Sequence, residues 1–234
     1  IEDIKNNALI NTADFGVPQN RKRVILIGVN TDIIDNSQQL LNTFYNVILE
    51  KYKSDKINDL ESAIGDLPKL VPCKVYKKGN RKISHKMIGE TSLTWHEARY
   101  QNERDIKMMH MLAKDIEDGT YLYQSTASLI ALYKEVTGKV TSIHKYHVLR
   151  KNEPSTTILA HLHKDGFRFI HYDSEQARTI TVREAARIQT FTDDFEFPCS
   201  MSAAYKMIGN AVPSLFAKKL AFAINELLNQ IGGV

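Results

Sequence analysis

Five consecutive residues, Gln19-Asn20-Arg21-Lys22-Arg23, place two carboxamides and three cations directly ahead of the apolar run Val24 to Val29. If a strand begins at Arg21, the two-residue repeat of extended backbone puts Arg21 and Arg23 on one face. Two guanidinium forks would then address the same anion or polar edge; the alternative is an exposed cationic entrance to a strand. A second group, Gly209-Asn210-Ala211-Val212-Pro213, joins two helical stretches. Gly209 suits the left-handed position that ends a helix, and the amides near Asn210 and Ala211 then fall at the start of the next helix. A third group is the most basic stretch of the chain, Lys69 to Lys86, which holds no acidic residue. In it Lys74, Lys77, Lys78, Arg81, Lys82 and Lys86 are interleaved with Tyr76 and Gly79. Concentrated charge of one sign reads either as a solvated loop or as a contact to a phosphate backbone.

The elements that must position these groups follow from apolar spacing and end signals. Ala8 to Ile10 and Val24 to Val29 read as buried strands on either side of Asp14 to Gln19. Asn58 to Glu61 starts a short helix carrying Leu60, Ala63 and Ile64, and Pro68 closes it. Asn102 caps a helix with Ile106, Met109, Leu112 and Ile116 on one face, a methionine-rich stripe that reads as core. Glu153 to Ile170 reads as a hairpin around Asp165-Gly166. Thr181-Val182-Arg183-Glu184 is a capping box opening a helix through Ile188. Pro213 fits the first turn of a last helix whose Phe216, Leu220, Ile224, Leu227 and Ile231 share one face. His161 and His163, two apart on an expected strand, and His144 and His147 lack further ligands at suitable spacing and read as structural, so no metal is expected.

Composition bounds the classes. A chain of 234 residues, 43% hydrophobic and 25% charged, buries roughly 70% of its unfolded surface and needs no staples, which excludes disordered and fibrous classes. Two cysteines, Cys73 and Cys199, cannot make a disulfide framework or a four-ligand zinc site, which fits a reducing, intracellular setting. The longest apolar run is too short to span a bilayer and no secretory signal opens the chain, so neither a membrane nor secretion is expected. A net charge of +4 permits an anionic partner. The opening Ile-Glu-Asp-Ile, with no initiator Met, reads as a start inside a domain.

Taken in order, three segments resemble late motifs of the DNA (cytosine-5) methyltransferase family. They are Ala13-Asp14-Phe15-Gly16-Val17-Pro18-Gln19-Asn20-Arg21-Lys22-Arg23, Arg178-Thr179-Ile180-Thr181-Val182-Arg183-Glu184-Ala185-Ala186-Arg187-Ile188-Gln189, and Gly209-Asn210-Ala211-Val212-Pro213. Weaker agreement at Ala63 to Pro68 and Pro154 to His161 extends the resemblance over nearly the whole chain, and the variable stretch between corresponds to the family's target-recognition region. Thr192 stands where the family usually has Pro, and Ser214 where it often has a second Pro. The family's glycine-rich cofactor loop, Pro-Cys nucleophile and Glu motif would precede Asp14. Order therefore excludes Pro72-Cys73 and Pro198-Cys199 as the nucleophile of an unpermuted enzyme.

The resemblance implies an α/β fold: the terminal part of a doubly wound S-adenosylmethionine-dependent methyltransferase sheet plus a smaller target-recognition domain. Residues 1–31 would be the final strands of the catalytic domain, 32–199 the recognition domain including the capping-box helix, and 200–234 the return to the catalytic domain. It implies methyl transfer from S-adenosylmethionine to C5 of a flipped cytosine after thiolate attack on C6. Arg23 would meet the cytosine O2 edge, Arg21 a phosphate or neighbouring carboxylate, and Gln19 would orient the turn. Asn210, Ala211 and Val212 would border the methionine part of the cofactor, most of whose site lies on upstream sequence. Lys74, Lys77, Lys78, Arg81, Lys82 and Lys86 would meet double-stranded DNA. The implied partner is an N-terminal catalytic half or subunit, in the cytoplasm of a prokaryotic cell, at the nucleoid, with a restriction system. Two rivals remain: a non-catalytic DNA-binding module and an RNA cytosine-5 methyltransferase.

Overall fold

The computed structural model describes residues 8–142 and 145–231, so His144 lies outside the described residues. β1 (Leu9–Asn11) and β2 (Lys22–Val24) pair antiparallel, Leu9 opposite Val24 and Asn11 opposite Lys22. Between them runs a 3-10 turn, Thr12–Phe15. The Asn11 side chain accepts from the Ala13 amide, and Gly16 closes the turn at φ +85°, a conformation that favours glycine. Past Val24 the ladder stops although the two-residue alternation continues. Ile25, Ile27 and Val29 pack on the core while Val24 and Leu26 face outward, Leu26 being 66% exposed. The Ile25 amide donates to Ala8 O at 2.9 Å and the Ile27 amide to the Tyr45 hydroxyl at 3.0 Å. The expected buried strand is thus a half-buried edge.

The remaining elements are α1 (Ser37–Thr43), α2 (Leu60–Ile64), β3 (Leu70–Lys78), β4 (Arg81–Met87), α3 (Glu103–Glu117), α4 (Thr126–Thr137), α5 (Val182–Ile188), α6 (Met201–Asn210) and α7 (Ser214–Ile231). The sheets among the described residues are two antiparallel pairs, β1 with β2 and β3 with β4, so the doubly wound parallel sheet is not formed within them. No helix among the described residues is long and apolar enough to cross a membrane.

Three apolar clusters hold the elements together. The first joins Ala8, Phe15 and Val17 to Phe44 and Ile48 of the turn after α1, and to Phe216, Ala223 and Leu227 of α7. Phe15 meets Phe216 edge-on at 5.1 Å. This packing carries residues 40–49 into the body formed by the opening turn and closing helix, across the boundary expected at 31. The second gathers α2, α5 and α6 around Ile158, Leu162, Phe169 and Phe197. The third sets Met108, Met109 and Leu112 of α3 against Leu132 of α4, Val148 and Ile170.

Local side-chain chemistry explains where the helices start. Asp59 and Asn102 accept from the Ser62 and Asp105 amides, each at 2.9 Å. The Thr181 hydroxyl accepts from the Glu184 amide at 3.1 Å and Glu184 accepts from the Thr181 amide at 2.7 Å, completing the box at α5. At α4 a box forms between Ser125 and Ser128.

Two expectations are overturned by packing. The hairpin over 153–170 is absent; the segment forms 3-10 turns at Ala160–His163 and Gly166–Arg168. Burying Leu162 and Phe169 in the second cluster requires this path, and Arg99 fixes it by donating to Leu162 O at 3.2 Å and His163 O at 2.7 Å. His161 and His163 therefore sit on a turn, their rings 6.3 Å apart. The basic stretch is no loop. It is a β3–β4 ribbon with Tyr76 opposite Ile83, Lys77 opposite Lys82 and Lys78 opposite Arg81, and a register shift between Pro72 and Tyr76.

Candidate functional site

The three distant motif segments meet at one buried hub. The Gln19 carboxamide, fully buried, accepts from the Ile158 amide at 2.9 Å. It donates to Gln189 Oε1 at 2.6 Å and to Ile188 O at 3.4 Å. Gln189 in turn donates to Ile208 O at 2.8 Å and Ala211 O at 2.9 Å. Arg21, 6% exposed, spends its guanidinium on Ile158 O at 2.8 Å, Gly209 O at 3.2 Å and Ala211 O at 3.3 Å. Side chains before β2 and after α5 thereby fix the loop between α6 and α7.

Arg21 and Arg23 do not share a function as paired forks. The last carbonyls of α6 have no helical donor, and a guanidinium at that negative helix end satisfies them, which draws Arg21 inward onto backbone carbonyls; among the described residues it pairs with no carboxylate. Burial first, and repulsion from Arg23 second, pull its pKa down to about 10, which leaves it charged at neutral pH. Arg23 is exposed on β2, opposite Ile10, and among the described residues donates only to Lys22 O at 2.7 Å. Its guanidinium, like the Lys22 ammonium beside it, is exposed next to the hub, and of the two only Arg23 carries a planar fork.

Gly209 does something other than end a helix. It is helical and buried within α6, and a Cβ there would stand 2.4 Å from Leu159 O and 2.5 Å from Ala160 N. Glycine is required by close approach of α6 to the 159–160 backbone, which is why α6 can deliver its terminal carbonyls to Arg21. The Ala211 amide completes α6 by donating to Met207 O and Ile208 O, so it is not a free amide at the start of α7. That start is held by Thr190: its Oγ1 accepts from the Leu215 amide at 3.0 Å, and Ser214 Oγ donates to Thr190 O. Ser214 therefore supplies a bond that proline could not. Thr192 is also accommodated, its carbonyl accepting from Arg183 at 3.2 Å.

The exposed part of the loop offers a wall for a ligand. Val212 is 61% exposed, Asn210 is exposed, and the Asn210 carboxamide makes no hydrogen bond among the described residues. An apolar group and an unengaged carboxamide therefore stand exposed on a firmly held loop.

The basic ribbon gives the second surface. Lys74 lies in its bulge, and Lys77, Lys78, Arg81, Lys82 and Lys86 are exposed along it. Cross-strand pairs of like charge are unfavourable unless an anion neutralises them; Lys77 faces Lys82 and Lys78 faces Arg81.

Sequence reasoning did not single out the buried network beneath this surface. Arg178 grips Glu184 with two bonds of 2.7 and 2.6 Å, and His171 Nε2 lies 3.6 Å from the same carboxylate. Burial opposes ionisation of Glu184, yet the Arg178 charge and its hydrogen bonds hold the carboxyl far below the usual range. Burial, then Arg178, lowers His171 to about 3 and His85 to about 4. The signal available in sequence was the Arg178 to Glu184 spacing, an arginine six residues before a capping-box glutamate.

The type II methyltransferase M.Bpa9945I of Bacillus paralicheniformis is 33% identical over 97% of this chain and 52% of its own length. M.DdeI of Desulfomicrobium norvegicum is 30% identical over 95% of this chain and 54% of its own, so the chain spans about half the length of these relatives. A crystal structure described as a prophage-encoded DNA modification methyltransferase of E. coli superposes with a TM-score of 0.51, at 18% identity, covering 94% of this chain and 59% of that one. Residues 6–226 match the family described as C-5 cytosine-specific DNA methylase, and the chain belongs to that family.

Proposed function

We propose that this chain is the portion of a DNA cytosine-5 methyltransferase that holds duplex DNA and closes the pocket around a flipped cytosine. The thiolate, the Glu motif and most of the cofactor site would come from upstream sequence or a second chain. The observation that carries the reading is the hub: Gln19, Arg21 and Gln189 lock the motif loop while the Arg23 guanidinium stands exposed at its edge, bonded among the described residues to Lys22 O. Simple phosphate binding has no use for a buried network spanning 190 residues of sequence.

Attack of a thiolate on C6 breaks the C5–C6 double bond and spreads negative charge from C5 through N3 to O2, the only oxygen of the base. Arg23 donates to O2 and stabilises that charge, an effect strongest where water is excluded. When bound, S-adenosylmethionine would supply the methyl group to C5, its S–CH3 bond breaking to leave S-adenosylhomocysteine. Asn210 and Val212 would border the cofactor's methionine part. Loss of the C5 proton and departure of the thiolate then restore the ring. The basic ribbon holds the duplex through its phosphates while the base is turned out.

Methyl acceptance by duplex DNA and by transfer RNA, measured side by side with this chain and its complementary half, tests the proposal. Incorporation into DNA at C5 of cytosine supports it. Incorporation into RNA alone, or into neither by a demonstrably assembled enzyme, refutes it in favour of the RNA enzyme or the non-catalytic binding module.

A further inference from the structure

A cleft of about 730 Å³ opens beside the basic ribbon, lined by Arg81, Lys82, Trp95, Glu97, Tyr100 and Glu196 among others. One feature distinguishes it from a surface built only for phosphates: it carries carboxylates. Arg81 pairs with Glu97 at 2.8 Å, and both side chains are about half exposed, so the pair costs little to open. A carboxylate beside DNA repels the backbone but can accept a hydrogen bond from a base amino group.

The cleft is held rigid. Trp95 sits at φ +66°, a strained value for a bulky residue. The fully buried Arg183 clamps its surroundings by donating to Thr94 O, Thr94 Oγ1 and Phe195 O, each at 3.0 Å. Glu196 accepts from Thr94 Oγ1 at 2.6 Å and Trp95 Nε1 at 3.2 Å, so its carboxylate is engaged internally. That leaves Glu97 as the carboxylate turned to the opening. Lys82 lies over the Tyr100 ring at 5.5 Å, giving the cleft a cationic, aromatic wall. Arg81 stands directly after the Gly79-Asn80 turn, at the tip of a two-stranded ribbon, an element that fits the major groove.

We infer that the Arg81–Glu97 pair reads one G·C base pair of the target duplex. Arg81 donates its fork to guanine O6 and N7, and Glu97 accepts from the amino group of the paired cytosine. Donor and acceptor already stand side by side, 2.8 Å apart, and each exchanges its partner for a base contact when DNA enters. Lys77 and Lys78 have no acidic partner among the described residues and remain with the phosphates. This rests on the function proposed above and assigns a specificity role to the same surface.

The assembled enzyme, offered a library of duplexes with randomised positions around a cytosine, is scored by sequencing the methylated products. Arg81→Lys keeps the charge and loses the fork. It should lower discrimination for guanine at one position by about 10- to 100-fold, with the salt dependence of binding unchanged. Glu97→Gln should weaken preference at the same base pair. Unchanged preference in both variants, or changes at two unrelated positions, would overturn the inference while leaving the methyltransferase reading intact. No methylation by the unaltered enzyme would remove the function and this inference together.

Discussion

Replacing Arg21 by Met separates two roles that its position allows. The apolar stem is kept and the guanidinium removed, so Ile158 O and Gly209 O lose their only side-chain donor among the described residues, while Ala211 O keeps its bond from Gln189. A buried carbonyl left unpaired costs about 1–3 kcal/mol. Two of them predict a loss of about 2–6 kcal/mol, or roughly 4–24 °C in Tm for a chain of this size. Urea denaturation followed by circular dichroism reads the change directly, and Arg23→Met, on the exposed side, should stay within about 0.5 kcal/mol of the parent. If Arg21 instead existed to meet a phosphate, its free form would be a buried cation at electrostatic cost. Arg21→Met would then be as stable as the parent or more so, with weaker DNA binding, and that result would refute the carbonyl clamp.

Gly209→Ala places a Cβ against the Leu159 and Ala160 backbone; calorimetry should show a loss of at least about 2 kcal/mol, larger than the gain in helix propensity offsets. His85 and His171 are neutral in the fold because burial and Arg178 depress them to about 4 and 3. The unfolded chain therefore binds protons first as pH falls below 6.5, and stability should be complete above that value and decline down to pH 3–4, by up to about 1.4 kcal/mol per pH unit for each histidine. A denaturation midpoint flat between pH 6.5 and 4.5 would contradict their burial. Substituting Lys77, Lys78 and Lys82 together by Ala should reduce the slope of log affinity against log salt by up to about three units, with the preferred methylation site unchanged, as a competition titration against random duplexes would show.

The parts legible in the sequence are those fixed by local chemistry. The capping box at Thr181 and Glu184, the Asn102 cap and the apolar face of α7 each depend on side chains within four residues of one another. The parts that were not legible depend on what arrives from elsewhere in the chain. Alternation along β2 says nothing of the orphaned carbonyls at the end of α6 that turn Arg21 inward. Gly209 carries the composition of a helix cap, yet its constraint is the backbone of Leu159, fifty residues away. The Asp165-Gly166 turn signal was overridden because Leu162 and Phe169 gain more by entering the core than a hairpin offers. The ribbon was hidden because a run of lysines obscures the alternation by which strands are recognised. Gln189 stood inside a recognised motif, but its role appears only where three segments meet.

The most direct test of the central claim is the single-turnover rate of cytosine methylation by the assembled enzyme carrying Arg23→Ala, measured beside its affinity for the same duplex. Loss of one preorganised donor to the developing charge predicts a rate lower by roughly a hundredfold or more, with a much smaller change in affinity. An unchanged rate with weakened duplex binding would place Arg23 on the phosphate backbone and contradict the account.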